Sequence, residues 1–157
     1  MCTFLFGGFM NLDFFELAFF YANRAFENDE VPVGAVIVKN NEVISFGFNS
    51  KERDSSVLSH AELIAICEAE KKLGNWRLDG CDMYVTLDPC PMCASAIKQS
   101  RISNVYSALS SSDVRNFDII SDIFLPDGLN PGVSFNTNIS PEKSKKLLSD
   151  FFEMKRK

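Results

Sequence analysis

The chain has 157 residues, of which 46% are hydrophobic and 24% charged, a composition that fits one globular domain and excludes a wholly disordered chain. Its 16 Lys and Arg residues against 21 Asp and Glu residues give a net charge of -5, which excludes a general polyanion binder. Any contact with nucleic acid must therefore use a local basic patch.

Cysteine usage and hydropathy predict a location in the cytoplasm. The five cysteines are odd in number, and Cys90 and Cys93 form a Cys-x-x-Cys pair beside prolines, which is typical of metal binding in a reducing compartment. The apolar start lacks the basic segment and cleavage site of a signal peptide, and no other stretch is expected to span a membrane. We predict a disordered N-terminal extension over residues 1–11 and a single domain over residues 12–157.

Apolar periodicity predicts helices that alternate with strands. Asn40 and Asn41 tolerate positive φ and suit the tight turn of an opening hairpin, whose first strand is apolar enough to be covered on both faces. This order predicts an α/β fold, a three-layer α/β/α domain with a mixed five-stranded sheet. In chain order, the predicted elements are a helix over 13–28, strands over 34–38 and 43–48, a polar loop over 50–56, a helix from Ser59 to Gly74, a strand over 83–87, a helix over 88–99, a strand over 102–108, a segment over 109–130 without a clear pattern, a short strand over 133–135, and a final helix that Ser140 caps.

Two short motifs carry the residues best suited to chemistry. His60 is the only histidine and stands two positions before Glu62, and Cys90 and Cys93 follow in the second motif. One imidazole and two thiols are ligands that zinc prefers, and three ligands leave one tetrahedral position open for water. Both motifs lie near predicted helix starts, where the helix dipole favours thiolate. We therefore predict one Zn²⁺ per chain, held by His60, Cys90 and Cys93.

Glu62 and the cysteines each have a structural alternative. Residues two apart do not share a helix face, so Glu62 is separated from His60 and suits a proton shuttle rather than a ligand. However, Ser59 and Glu62 also match a capping box. The cysteines suit buried apolar thiols, or half of a structural four-ligand site completed by Cys67 or Cys81.

Histidine-x-glutamate followed by proline-cysteine-x-x-cysteine is the signature of zinc-dependent base deaminases. The wider pattern resembles the bacterial tRNA-specific adenosine deaminase family over about residues 12–155. The segments that carry this resemblance are EVPVGAV at 30–36, HAE at 60–62, YVTLDPCPMC at 84–93, SRI at 100–102 and LLSDFF at 147–152.

The resemblance implies a homodimer of the cytidine deaminase-like fold that converts adenosine to inosine at the wobble position of a tRNA anticodon. It implies the same three zinc ligands, Glu62 as the proton shuttle, and Asn49 as an asparagine that contacts the flipped base. The 15 phenylalanines also favour a dimer, because so many aromatic side chains are hard to bury in one small domain.

The C-terminus combines aromatic and basic residues, which is how single-stranded nucleic acid is often held. We predict that Phe151 and Phe152 bind the anticodon loop. The basic residues expected to contact its phosphates are Lys143, Lys145, Lys146, Lys155, Arg156 and Lys157. The alternative for the lysines is a solvated helix face that complements the dipole at the C-terminus of the helix.

The sequence departs from the family at three places: residues 56–59, Asp88 where glutamate is usual, and residues 109–116. The last segment lacks the aspartate and glycine-containing loop that flank the substrate, a change that bears on specificity and leaves the zinc chemistry intact. Two rival functions stay open: deamination of a free base or nucleoside of the guanine or cytosine type, and a non-catalytic zinc- or RNA-binding subunit. The presence of Glu62 beside a three-ligand site opposes the second rival.

Overall fold

A computed structural model describes residues 7–157, with side chains for residues 14–113 and 115–157. Within these residues the helices are α1 (Gly7–Glu27), α2 (Lys51–Asp54), α3 (Ala61–Leu73), α4 (Pro91–Gln99), α5 (Val114–Ile123) and α6 (Pro141–Arg156). The strands are β1 (Gly34–Lys39), β2 (Glu42–Phe48), β3 (Cys81–Val85), β4 (Asn104–Ser107) and β5 (Ser134–Asn136).

The five strands form one mixed sheet in the order β2-β1-β3-β4-β5. Strand β1 pairs antiparallel with β2 and β3, whereas the β3–β4 and β4–β5 pairs are parallel. Asn40 and Asn41 turn the β1–β2 hairpin with φ angles of 51° and 63°, as their tolerance of positive φ predicts. The predicted α/β class with a mixed five-stranded sheet is confirmed.

Helices cover both faces of the sheet, which makes the domain three-layered. Ala35 and Ile37 of β1 pack into a core with residues of α3, α4 and α5. Val36 and Val38 point to the other face and pack against α1. The nearly continuous apolar run of β1 therefore reflects burial on both sides, as predicted. No helix among the described residues meets the length and hydropathy that a membrane span requires.

Glycine brings α3 directly against the sheet. A Cβ atom built on Gly47 of β2 would lie 2.2 Å from the carbonyl oxygen of Ala61, the first residue of α3. A Cβ on Gly34 would lie 2.1 Å from the carbonyl oxygen of Ala18 in α1. Backbone atoms cannot move aside as a flexible side chain can, so these two positions need glycine. The Gly47 contact fixes the start of α3, where His60 and Glu62 stand.

Several boundaries differ from the sequence expectation. Helix α1 begins at Gly7 rather than near Asp13, so it overlaps residues 7–11 of the predicted extension; residues 1–6 lie outside the described residues, and the domain boundary stays a prediction. Helix α5 occupies part of the segment without a clear pattern, where the Asp113 side chain accepts a hydrogen bond from the N–H of Arg115. Helix α4 begins at Pro91 rather than Asp88.

The polar composition of residues 50–56 predicts a loop, and this prediction is wrong in part, because the segment contains the short helix α2. The buried carboxylate of Glu30 accepts hydrogen bonds from the N–H groups of Glu52 and Arg53, at 3.2 and 2.8 Å. These orphan donors at the helix start are thus satisfied from a distant part of the chain. Because these residues are distant in the chain, local hydrophobic periodicity cannot predict the contact.

Candidate metal centre and active site

Two helix N-termini position the sequence-predicted ligands. His60 is the N-cap of α3 and has an extended backbone, with φ -87° and ψ 147°. Cys90 is the N-cap of α4, with φ -75° and ψ 169°, and Pro91 occupies the first helical position. From these two N-cap positions, the side chains of His60 and Cys90 reach the same cluster.

The ligand atoms have the spacing that zinc requires. Nδ1 of His60 lies 3.5 Å from Sγ of Cys93 and 3.7 Å from Sγ of Cys90. Tetrahedral zinc, with Zn–S of about 2.3 Å and Zn–N of about 2.0–2.1 Å, separates nitrogen and sulfur ligands by about 3.6 Å. In the part of the chain that the structure describes, neither the exposed Cys67 nor the buried Cys81 joins the cluster. A four-ligand structural site with either cysteine is therefore not formed.

The two thiols have different affinities for protons. The pKa of Cys90 falls to about 5 because the Cys93 thiol donates a hydrogen bond to its sulfur, with help from backbone N–H groups at the start of α4. The same hydrogen bond and burial raise the pKa of Cys93. The helix start thus favours at least one thiolate, which is the form of cysteine that binds metal.

Glu62 is buried beside the cluster rather than within it. Its Oε2 lies 3.6 Å from Sγ of Cys93, and burial raises the pKa of Glu62 to about 7. The alternative of a Ser59–Glu62 capping box is wrong, because His60 occupies the N-cap position and α3 begins at Ala61 rather than Ser59. Hydrogen bonds from the hydroxyls of Ser50 and then Ser59 instead lower the pKa of the Asp54 carboxyl.

An open cleft of about 620 Å³ exposes the cluster to a substrate. Asn49 lines this cleft, and its amide also fixes the start of α3. Oδ1 of Asn49 accepts the N–H of Ala61 at 2.9 Å, and Nδ2 donates to the carbonyl of Val31 at 3.1 Å. The residues that line the cleft are Asp29, Glu30, Val31, Val33, Asn49, Lys51, Glu52, His60, Glu62, Leu87, Asp88, Cys90, Phe151 and Lys155.

Helix α6 forms part of the cleft wall. The Ser144 hydroxyl donates to the carbonyl of Thr86 at 2.6 Å, which attaches α6 to the segment after β3. Phe151 is buried with its ring centroid 5.8 Å from that of Phe26, and it lines the cleft. Phe152 is 44% exposed and is not among the cleft-lining residues. The two phenylalanines, predicted together, thus have different environments.

The lysines of α6 are less free than the sequence suggested. Lys143 pairs with Glu16, Lys146 with Asp150 and Lys155 with Asp29. Among the described residues, no ion pair is formed by Lys145, Arg156 or Lys157. Lys155 nevertheless lines the cleft, as does Lys51 of α2, which the sequence had not singled out.

Asp88 connects the metal motif to the segment that departs from the family. Its buried carboxylate accepts the N–H of Ser111 at 3.1 Å and the hydroxyl of Thr137 at 2.5 Å. Its own N–H donates to the carbonyl of Leu109 at 3.0 Å. The altered loop is therefore held against the residue that lies two positions before Cys90. No sequence signal could have revealed these partners, since they are distant in the chain.

Residues 10–109 match the family model of the cytidine and deoxycytidylate deaminase zinc-binding region. Together with the fold and the cluster of one imidazole, two thiols and a buried carboxylate, this match defines a zinc-dependent deaminase. A relative from Aquifex aeolicus, a tRNA-specific adenosine deaminase, is 42% identical over 89% of this chain and 92% of its own. One from Bacillus subtilis, of the same name, is 37% identical over 87% and 84%.

Among solved structures, one described under A-to-I editing by tRNA:A34 deaminases at the wobble position is 35% identical, with a TM-score of 0.76. The match covers 87% of this chain and 99% of that one. The protein belongs to the tRNA-specific adenosine deaminase family. It is accordingly a hydrolase that acts on an amino group.

Proposed function

We propose that this protein converts adenosine to inosine by hydrolysis at the wobble position of a tRNA anticodon. The observation that carries the proposal is the buried Glu62 carboxylate beside one imidazole and two thiols, a cluster of which His60, Glu62 and Cys90 line the cleft. The names of its relatives support tRNA adenosine as the substrate rather than another amine.

His60, Cys90 and Cys93 are the proposed zinc ligands, because their chemistry and spacing fit that ion. When bound, zinc supplies a Lewis acid that activates water near neutral pH. The chain holds the three ligand atoms in place from the starts of α3 and α4, where the helix dipoles favour negative charge.

Glu62 is the proposed proton carrier. Deamination forms a C6–O bond to water and breaks the C6–N bond, and ammonia leaves well only after the amine is protonated. Oε2 of Glu62 can accept one proton from the attacking water and donate it to a ring nitrogen of the base. It can then accept a second proton, from the hydroxyl formed at C6, and donate it to the amine, which leaves as ammonia. Burial raises the pKa of the Glu62 carboxyl above its ordinary value, which makes the carboxylate a better proton acceptor.

Asn49 is the proposed contact for the base. A primary amide has two N–H donors and an oxygen with two lone pairs. The bonds to Ala61 and Val31 fix the orientation of the amide and use one donor and one lone pair. One donor and one lone pair thus stay available for the polar edge of a base in the cleft.

The RNA is proposed to approach along α6. A base in an anticodon loop is unpaired, so it can enter a cleft with little unstacking cost. Phe151 supplies an aromatic wall, and Lys51 and Lys155 bring two cations to the same cleft. Phe152, Arg156 and Lys157 continue this surface at the end of α6 as candidates for stacking and phosphate contact.

One comparison of substrates tests the proposal. The purified protein is incubated separately with bulk tRNA, free adenosine, guanine and cytosine, and each product is identified by mass spectrometry. We expect inosine in tRNA, and none with Glu62→Ala. Deamination of a free base without inosine in tRNA would establish the free-base rival, and a zinc-loaded protein that changes none of the four would establish the non-catalytic one.

The protein is also proposed to be a cytoplasmic homodimer. Val57 and Leu58, which are 61% and 60% exposed, lie just before His60, and Phe46 on the edge strand β2 is 44% exposed. Large apolar side chains exposed in this way are typical of contact surfaces. The four described cysteines are free, which fits a reducing compartment.

A further inference from the structure

Asp29 occupies a backbone position that normally suits another residue. The N–H of Glu30 donates to the carbonyl of Ala25 at 2.9 Å, and that of Asp29 donates to Phe26 at 3.1 Å, which together form a Schellman motif at the end of α1. Asp29 has φ 63°, in the left-handed region where glycine or asparagine is usual. A negative charge at a helix C-terminus also opposes the helix dipole. The helix dipole thus disfavours a carboxylate here, and such conflicts tend to occur at functional sites.

The carboxylate of Asp29 meets a cation at the candidate cleft. Its Oδ2 accepts a hydrogen bond from Nζ of Lys155 at 2.6 Å, and both residues line the cleft. The two side chains are 65% and 45% exposed, so the pair is solvated and adds little to folding stability. Stability therefore does not explain why aspartate stands at this position.

We propose that Asp29 competes with RNA phosphate for Lys155 and thereby sets the affinity and selectivity of the cleft, an inference that rests on the proposed function. A carboxylate and a phosphate both bind the ammonium group of Lys155. RNA must therefore displace Asp29 before the RNA backbone contacts Lys155. After displacement, the carboxylate still repels phosphates nearby. The contact between RNA phosphate and Lys155 therefore contributes less to binding. A base bound in the cleft must supply more of the binding energy.

The chain contains a matched pair for comparison. Lys143 of α6 bonds to Glu16 of α1 at 2.8 Å, with side chains that are 48% and 66% exposed. Each lysine also lies over a phenylalanine ring, Lys143 at 5.0 Å from Phe19 and Lys155 at 5.7 Å from Phe151. The Glu16–Lys143 pair differs in one useful respect, because neither residue lines the cleft.

The test measures kcat and KM for inosine formation in full-length tRNA at several salt concentrations. We expect Asp29→Asn to lower KM by roughly two- to fivefold at low salt with kcat unchanged. The slope of log KM against log salt should become steeper by about 0.7, the value for one more phosphate contact to a single strand. Asp29→Gly should give the same result, since glycine also fits the left-handed position. Glu16→Gln removes one charge from the control pair and should leave KM unchanged.

A double variant separates release of Lys155 from a general change in charge. Asp29→Asn should have no more than a small effect on KM when Lys155→Gln is already present. The inference is overturned if Asp29→Asn leaves KM unchanged, if Glu16→Gln lowers KM equally, or if the effect of Asp29→Asn is undiminished without Lys155. These three outcomes contradict the inference alone, because the wild-type protein still forms inosine in tRNA in each of them. A wild-type protein that forms none contradicts the proposed function itself, and this inference falls with it.

Discussion

Oε2 of Glu62 lies 3.6 Å from Sγ of Cys93, and both side chains are buried. Glu62 reaches this point from the first turn of α3, whereas His60 reaches the cluster from the N-cap of the same helix. Residues two apart on a regular helix would point in different directions. They converge here because the backbone of His60 is extended and that of Glu62 is helical. A carboxylate in contact with one sulfur, and outside the three-ligand set, suits a proton carrier.

Glu62→Gln is expected to keep zinc and the fold while kcat falls by about 10²- to 10⁴-fold. Glutamine has nearly the same volume as glutamate, but it cannot carry a proton. Inosine formation and zinc content are measured on the same preparation. Glu68→Gln, an exposed position of α3 paired with Lys71, is the control and should leave kcat unchanged. A Glu62→Gln protein with near-normal kcat would remove this residue from the mechanism.

Cys90→Ser is expected to lose most of the zinc, which should be about one equivalent in the wild-type chain. Serine keeps the N-cap geometry, but its hydroxyl is a poor zinc ligand compared with a thiolate. Metal content by atomic absorption is compared with that of Cys67→Ser, in which the exposed thiol outside the cluster is removed. Full zinc occupancy in Cys90→Ser, or equal loss in Cys67→Ser, would place the metal elsewhere.

Gly47→Ala is expected to reduce the free energy of unfolding by about 3 kcal/mol and to lower activity as well. The added Cβ would lie 2.2 Å from the carbonyl oxygen of Ala61, so α3 must shift and carry His60 and Glu62 with it. Urea unfolding and kcat/KM are measured together. Gly128→Ala is the control because no atom lies within 4 Å of its Cβ position. Equal stability of the two variants would show that the β2–α3 contact is not tight.

Elements with a strong local pattern could be predicted from the sequence. The alternation of helices and strands, the Asn40–Asn41 turn and the apolar first strand all follow from residues close together in the chain. The ligand motifs were found for the same reason, since each combines a short spacing with a helix start. Helix α2 was missed because it is four residues long, buries no side chain and depends on hydrogen bonds to the distant Glu30.

The surroundings of the site depend on long-range contacts that no sequence pattern encodes. Asp88 looked like a mild departure from the family, yet its carboxylate joins Thr137 and Ser111 to the metal motif. Phe151 and Phe152 looked equivalent, yet one is buried and the other exposed because helix geometry turns successive residues about 100° apart. The ion pairs that occupy Lys143 and Lys155 likewise depend on how α6 packs against α1.

The protein is expected to be a dimer of about twice 17.6 kDa at micromolar concentration. Val57→Ser combined with Leu58→Ser should weaken the dimer, because apolar side chains at an interface lose contact area when they become small and polar. Light scattering gives the mass. The control is Leu129→Ser, since Leu129 is 85% exposed and lies far along the chain from the site. A wild-type mass equal to one chain would contradict the dimer.

Removal of residues 151–157 is expected to reduce deamination of tRNA far more than zinc content, because the zinc ligands lie outside α6. This truncation also deletes Phe151, a buried residue of the cleft wall, so it tests the helix end as a whole. A double variant, Arg156→Gln with Lys157→Gln, isolates the charges and leaves both phenylalanines in place.

The double variant should raise KM for tRNA at low salt and leave kcat for bound substrate unchanged. Loss of two phosphate contacts should flatten the slope of log KM against log salt by about 1.4, at about 0.7 for each contact. Lys71→Gln combined with Lys72→Gln removes the same charge from the far end of α3, about 16 Å or more along the helix axis from His60, and should leave the slope unchanged. If both double variants change KM equally, the effect is one of net charge, and the end of α6 is not an RNA-binding surface.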